Sequence, residues 1–187
     1  MRTRGIRASA HAVVVLLLSG SVALALQTSA QGRNRVPARN CGSSVYGDLG
    51  KDWRRNPNTI IVGPIAFPNT FPPDGREPAS SFAPVRGRYP GQKVLLVVAG
   101  KTTVRLVIPT SERRRLRLLY DPSSWSPSGL YRLSAGDDAS AFQACPDETQ
   151  FNGGFIVAGP QCARVLVYVA PRARPLTARL PFGRRCG

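Results

Sequence analysis

The chain has 187 residues, 26 of them basic and 10 acidic, for a formal net charge of +16. Hydrophobic residues make up 42%, enough for a folded body, and the 18 Gly and 17 Pro lack the strict period of a collagen. A single histidine, His11, lies close to the N-terminus, so histidine-based triads and histidine-ligated metals are excluded from everything downstream of it.

Taken in chain order, the first element is an apolar run from Ala12 to Leu26, preceded by Arg2, Arg4 and Arg7 and followed by the small residues Thr28, Ser29 and Ala30. A basic start, a short apolar core and a small-residue exit form the pattern of a secretory signal. The run is shorter than the roughly 20 residues of a comfortable membrane span. Two outcomes stay open for residues 1–30: a signal that is cleaved, or an uncleaved membrane anchor. Both place the rest of the chain outside the cytoplasm, secreted or anchored at the cell envelope. Without the first three arginines the balance is 23 basic to 10 acidic residues, or +13.

Residues 31–40 are polar and basic with no apolar period, and read as a flexible spacer whose Arg33, Arg35 and Arg39 would meet lipid phosphates if the anchor is retained. Residues 41–187 have the size of one domain. Short segments rich in Val, Ile and Leu recur from Thr59 to Phe182, separated by Gly and Pro, and none sustains a helical period. The fold expected is therefore all-β, a disulfide-stapled antiparallel β-sandwich, immunoglobulin-like or similar. Lys93 to Ala99 is nearly continuous in apolar residues and suits a central strand. Alternation turns Val104, Leu106 and Ile108 inward, and Leu116, Leu118 and Tyr120 match them on the next strand. Pairing of these two strands would set Arg105 and Arg117 on one outer face. Ala99-Gly100-Lys101 and Asn152-Gly153 read as hairpin turns. In the last strand, Leu176 to Phe182, Pro181 lacks an amide donor and marks an edge. The connection from Pro68 to Gly91 is irregular, and its Phe71, Phe82 and Tyr89 read as pins for a long crossover rather than as ligand contacts.

The four cysteines, Cys41, Cys145, Cys162 and Cys186, lie beyond the export signal, so two disulfides are expected. Three pairings are open; the one favoured joins Cys145 to Cys162 across neighbouring strands and Cys41 to Cys186 across the domain ends. No metal site is expected, since no CxxC pair and no downstream histidine is present.

The candidate anion-binding residues are Arg113, Arg114 and Arg115, joined by Arg105 and Arg117, because a forked guanidinium suits carboxylate and phosphate. A solvated strand-loop-strand end with no ligand explains the same residues. Asp137-Asp138 and Asp147-Glu148 read as turn residues; with Asp121 they are also the carboxylates that a histidine-free hydrolase would need. Trp53 and Trp125 are assigned to packing under loops. No catalytic residue and no cofactor is assigned. The +13 field implies an anionic polymer, lipid head groups or another envelope protein as partner, with no nucleic acid, since no nucleic-acid-binding motif is present. An alternative role is that of a structural adaptor, whose mark would be an exposed apolar patch.

At Ala144-Cys145-Pro146, at Thr149 to Phe155, and at Gly159 to Cys162, the sequence resembles a group of small exported or membrane-anchored actinobacterial proteins. Ser111-Glu112-Arg113-Arg114 before a strand and Gly183-Arg184-Arg185-Cys186 at the end share the likeness. The resemblance implies an envelope location and an all-β fold, and carries no catalytic residue across.

Overall fold

In the computed structural model, residues 36–72 and 76–187 are described; the signal or anchor expected at residues 1–30 and the first part of the spacer lie outside them. Residues Val36–Gly187 form one compact unit. It contains no α-helix among the described residues, only 3-10 turns and thirteen strands. These are β1 (Ala38–Arg39), β2 (Ile60–Val62), β3 (Ile65–Phe67), β4 (Tyr89–Lys93), β5 (Leu96–Val98), β6 (Thr103–Val107), β7 (Leu116–Leu118), β8 (Leu130–Tyr131), β9 (Ala139–Gln143), β10 (Thr149–Phe151), β11 (Gly154–Val157), β12 (Gln161–Val169) and β13 (Leu176–Phe182).

The strands divide among three sheets: β1-β9-β6-β12-β13, β10-β5-β3-β2, and β7-β11-β4-β8. All pairs are antiparallel except β1 with β9. The all-β antiparallel expectation thus holds, with three hydrogen-bonded sheets where a sandwich has two. One apolar cluster draws on all three, including Phe67, Val98, Leu106, Leu118, Phe155 and Leu180.

Alternation placed the core side chains well. Val104, Leu106 and Ile108 are buried, as are Leu116, Leu118 and Tyr120, and β5 is buried along its whole length between β3 and β10. β13 has the expected bounds and is an edge, a position that tolerates Pro181. Phe71 and Phe82, at 2% and 0% exposure, pin the crossover by edge contacts to Phe182.

Both hairpin expectations are corrected. β5 and β6 flank Ala99-Gly100-Lys101 yet belong to different sheets, so the segment is a crossover. At Asn152-Gly153 the chain does not turn back. Phe151 faces Leu96 and Gly154 faces Lys93, so β10-β11 and β4-β5 form one ladder in unbroken register that passes from one sheet to another. Glycine is needed there for close approach: a Cβ on Gly153 would lie 2.3 Å from the Tyr120 ring, and one on Gly154 would lie 1.9 Å from the Gln92 carbonyl oxygen. The pair signals contact rather than a bend.

β6 and β7 do not pair either. β6 lies between β9 and β12, whereas β7 pairs with β11, so Arg105 and Arg117 stand on different sheets.

The disulfides are two in number but join Cys41 to Cys145 and Cys162 to Cys186, with Cα separations of 5.0 and 5.1 Å. This corrects the expected pairing. β1 runs parallel to β9 with Ala38 beside Ala141, so Cys41, two residues after β1, meets Cys145, two residues after β9. Cys162 is separated from Cys145 by β10 and β11, which run through other sheets instead of forming a hairpin. It bonds instead to the segment that follows its neighbour β13. Two disulfides and no free cysteine fit an oxidising, extracytoplasmic setting. No helix among the described residues is long and apolar enough to cross a membrane.

Candidate functional site

The arginine-rich loop leaves β6 at Val107 and closes by turn bonds, the Glu112 amide donating to the Pro109 carbonyl and the Arg115 amide to the Glu112 carbonyl, both at 2.9 Å. Most of its guanidinium groups have partners inside the fold. Arg113 donates from Nε to the Ile108 carbonyl at 3.2 Å and pairs with Asp138 Oδ2 at 3.1 Å. Arg117 pairs with the other oxygen of the same carboxylate. Burial lowers the Arg117 pKa, and the neighbouring Arg113 charge lowers it further. Arg115 reaches the carbonyls of Ala158 and Pro160 at 3.3 and 3.2 Å. Arg114 and Arg115 are both exposed, and Arg114 alone of the three has no partner among the described residues. Arg113, Arg114 and Arg115 are therefore adjacent in sequence while their charged ends serve three different surroundings.

A second arginine group forms on the outer face of the five-stranded sheet. In β6, β12 and β13 the inward positions Val104, Leu106, Ala163, Val165, Val167, Ala178 and Leu180 are buried, and the alternate positions Arg105, Arg164 and Arg179 are exposed. Arg164 lies directly opposite Arg179. Arg105 lies opposite Tyr168, its guanidinium 5.0 Å from the ring centroid. None of the five strands carries Asp or Glu. Among the described residues an acid reaches the face from the loop: Glu112 Oε1 accepts from Arg164 Nε at 3.0 Å, with Ser111 Oγ accepting from the same guanidinium at 3.1 Å. Sequence reading missed Arg164 and Arg179. The available signal was their alternation with Ala163, Val165 and Ala178.

Arg39 requires a correction. It belongs to β1, not to a flexible spacer, and is 7% exposed. Its guanidinium donates to the Tyr120 carbonyl at 2.6 Å, the Asn152 carbonyl at 3.3 Å, Ser43 Oγ at 2.9 Å and the Ser43 carbonyl. Burial lowers its pKa, an effect partly offset by Asp121. No phosphate contact is open to it.

The acids do not assemble a catalytic pair at a described cleft. Asp138 is neutralised by two arginines, and Glu148 pairs with Arg54. Asp137 is pushed up to about 6, first by burial and then by the Asp121 charge. Neither Asp121 nor Asp137 lines the cleft beside Trp125 or the one beside Trp53, and Glu148 is the single acid among the residues lining the latter. No group of three or more metal-ligating side chains is placed to hold an ion among the described residues. Exposed large apolar residues, Val45, Tyr46, Ile61, Val85 and Trp125, come from four separate segments. Trp125 is 40% exposed, which corrects its assignment as a packing residue.

No protein-family model matches the chain, and no curated protein matches it.

Proposed function

We propose that the protein is a non-enzymatic, extracytoplasmic β domain that binds an anionic polymer of the cell envelope through the outer face of its five-stranded sheet. Export is supported by the Ala12 to Leu26 run and its basic lead, with the two disulfides and the likeness to exported actinobacterial proteins in agreement. We further infer sandwich-like layering of the sheets about the shared apolar cluster.

One observation carries the binding assignment: Arg164 directly faces Arg179 on an exposed face whose own strands contain no acid. Like charges opposite one another destabilise a sheet, and only Arg164 has a carboxylate nearby. An anionic partner removes that cost. Arg105, spread over Tyr168, and the unpartnered Arg114 extend the same positive field, which also attracts the partner from a distance and weakens with salt.

The test is co-sedimentation with an anionic polysaccharide at low and at high salt. Replacing Arg105, Arg164 and Arg179 together by Ser is expected to weaken binding about tenfold, since three exposed contacts at roughly 0.5 kcal/mol each give that factor. Replacing Arg113, Arg114 and Arg115 by Ala is expected to weaken it less, because two of those groups already have internal partners. Unchanged binding in the sheet-face variant overturns the assignment.

A further inference from the structure

We propose that the cleft beside Trp125 is a binding site for one sugar ring that bears a carboxylate. The site is separate from the arginine face and is argued from different residues. It has a volume of about 240 Å³, and its lining includes Trp125, Tyr131, Leu119, Lys93 and Asn152. That is room for about eight water volumes at roughly 30 Å³ each, below the range of roughly 300–1,000 Å³ of drug-sized pockets. A single six-membered ring with its substituents is of that order. A peptide segment or a lipid tail is not.

The aromatic wall is fixed before any ligand arrives. Asp121 Oδ1 accepts from the Ser123 amide at 2.9 Å and starts the 3-10 turn Pro122–Ser124, which Trp125 ends by donating its own amide to the Pro122 carbonyl. The Trp125 Nε1 then donates to the Leu119 carbonyl at 3.3 Å, and Tyr131 Oη accepts from the Ser126 amide at 3.1 Å. An indole that is 40% exposed yet held by its ring nitrogen keeps a flat apolar face available at little entropic cost. Lys93 and Asn152 lie where the β4-β5 and β10-β11 ladder passes between sheets.

The polar groups decide the class of ligand. The Asn152 side chain, a donor and an acceptor, has no partner among the described residues, and the exposed Lys93 ammonium has none either. A purely aromatic ligand would cover this amide without bonding it, which is unfavourable. A pyranose presents an apolar C–H face to the indole and hydroxyls at its edge to the amide. The lone ammonium selects a carboxylate substituent over a neutral one.

The experiment uses full-length protein carrying Trp53→Phe, so that Trp125 is the only indole, titrated with methyl glucuronide, methyl glucoside and benzoate while fluorescence is followed. Saturable binding of methyl glucuronide is expected, with methyl glucoside about threefold weaker through loss of the one exposed Lys93 contact. Lys93→Gln should bring the two sugars to equal affinity. The sheet-face variant should bind methyl glucuronide unchanged, so failure of the arginine-face assignment is distinguishable from failure at this cleft. For the indole itself the test is Trp125→Phe, followed by chemical-shift changes in the amides of residues 91–93, with binding weakened severalfold. Three results overturn the proposal: no saturable response to methyl glucuronide, benzoate binding as tightly as the sugar acid, or equal sugar preference before and after Lys93→Gln.

Discussion

At the N-terminal edge Arg39 is 7% exposed and donates to three backbone carbonyls and a hydroxyl, whereas in the loop after β6 Arg114 is exposed and donates to nothing among the described residues. Both sit in basic, polar stretches of sequence. Their difference arises from what the backbone brings alongside. β1 is carried by its pairing with β9 to a place where the Tyr120 and Asn152 carbonyls lack other donors, and a forked guanidinium answers several of them at once. The loop after β6 is closed by its own turn bonds, so Arg114 has no such duty. The charge of an arginine shows little about whether it serves the fold or a partner; the unsatisfied acceptors nearby decide.

The strongest way to break the comparison is to release the edge. Replacing Cys41 and Cys145 by Ser frees a link of 104 residues, for which the chain-entropy model gives up to about 4.7 kcal/mol. Urea denaturation should register most of that loss, and non-reducing peptide mapping of the parent should find Cys41 joined to Cys145. Next in size is Arg39→Met, which keeps the packing over Phe151 but leaves carbonyls without donors, at an expected cost of about 3 kcal/mol. Arg114→Ala, measured beside it, should change stability by less than about 0.5 kcal/mol. If the two variants prove alike, Arg39 is not a clamp.

A pH-dependent effect is expected of Asp137, which precedes β9. The folded Asp137 carboxyl titrates at about 6, above its ordinary value of 3.8, so the folded state holds its proton more tightly than the unfolded one. Its contribution to stability is fully present at acid pH and is lost as pH rises through that interval. Asp137→Asn should remove this fall and raise the melting temperature above pH 6, with no gain below pH 4. A parent whose stability rises between pH 4 and 6, with the Asn variant parallel to it, would show Asp137 to be ordinary.

What was legible in the sequence followed from local periodicity. Val104, Leu106 and Ile108 declare an inward face, and Leu176 to Phe182 declares a strand with its Pro181 at an edge, because alternation and amide chemistry act within a few residues. β4 was not legible: Tyr89-Pro90-Gly91-Gln92-Lys93 has no apolar alternation and is a strand because β11 and β8 pair with it. β1 has two residues and was hidden in a polar stretch for the same reason. Strand partners were least legible of all, since Asn152-Gly153 has the composition of a turn and the role of a close contact. That error also misplaced the disulfides, and the expected pairing of β6 with β7 set Arg105 beside Arg117, which lie on different sheets. The face formed by Arg164 and Arg179 depends on the register of β12 and β13, a long-range property.

The disulfide connectivity bears on how the protein matures. Cys41 bonds Cys145 and Cys162 bonds Cys186, so each bridge joins neighbours in the order of synthesis. A chain that enters an oxidising compartment N-terminus first presents its thiols in pairing order. Oxidation as the chain arrives yields the native set without reshuffling. The first strand must nevertheless wait for more than a hundred residues before its partner appears.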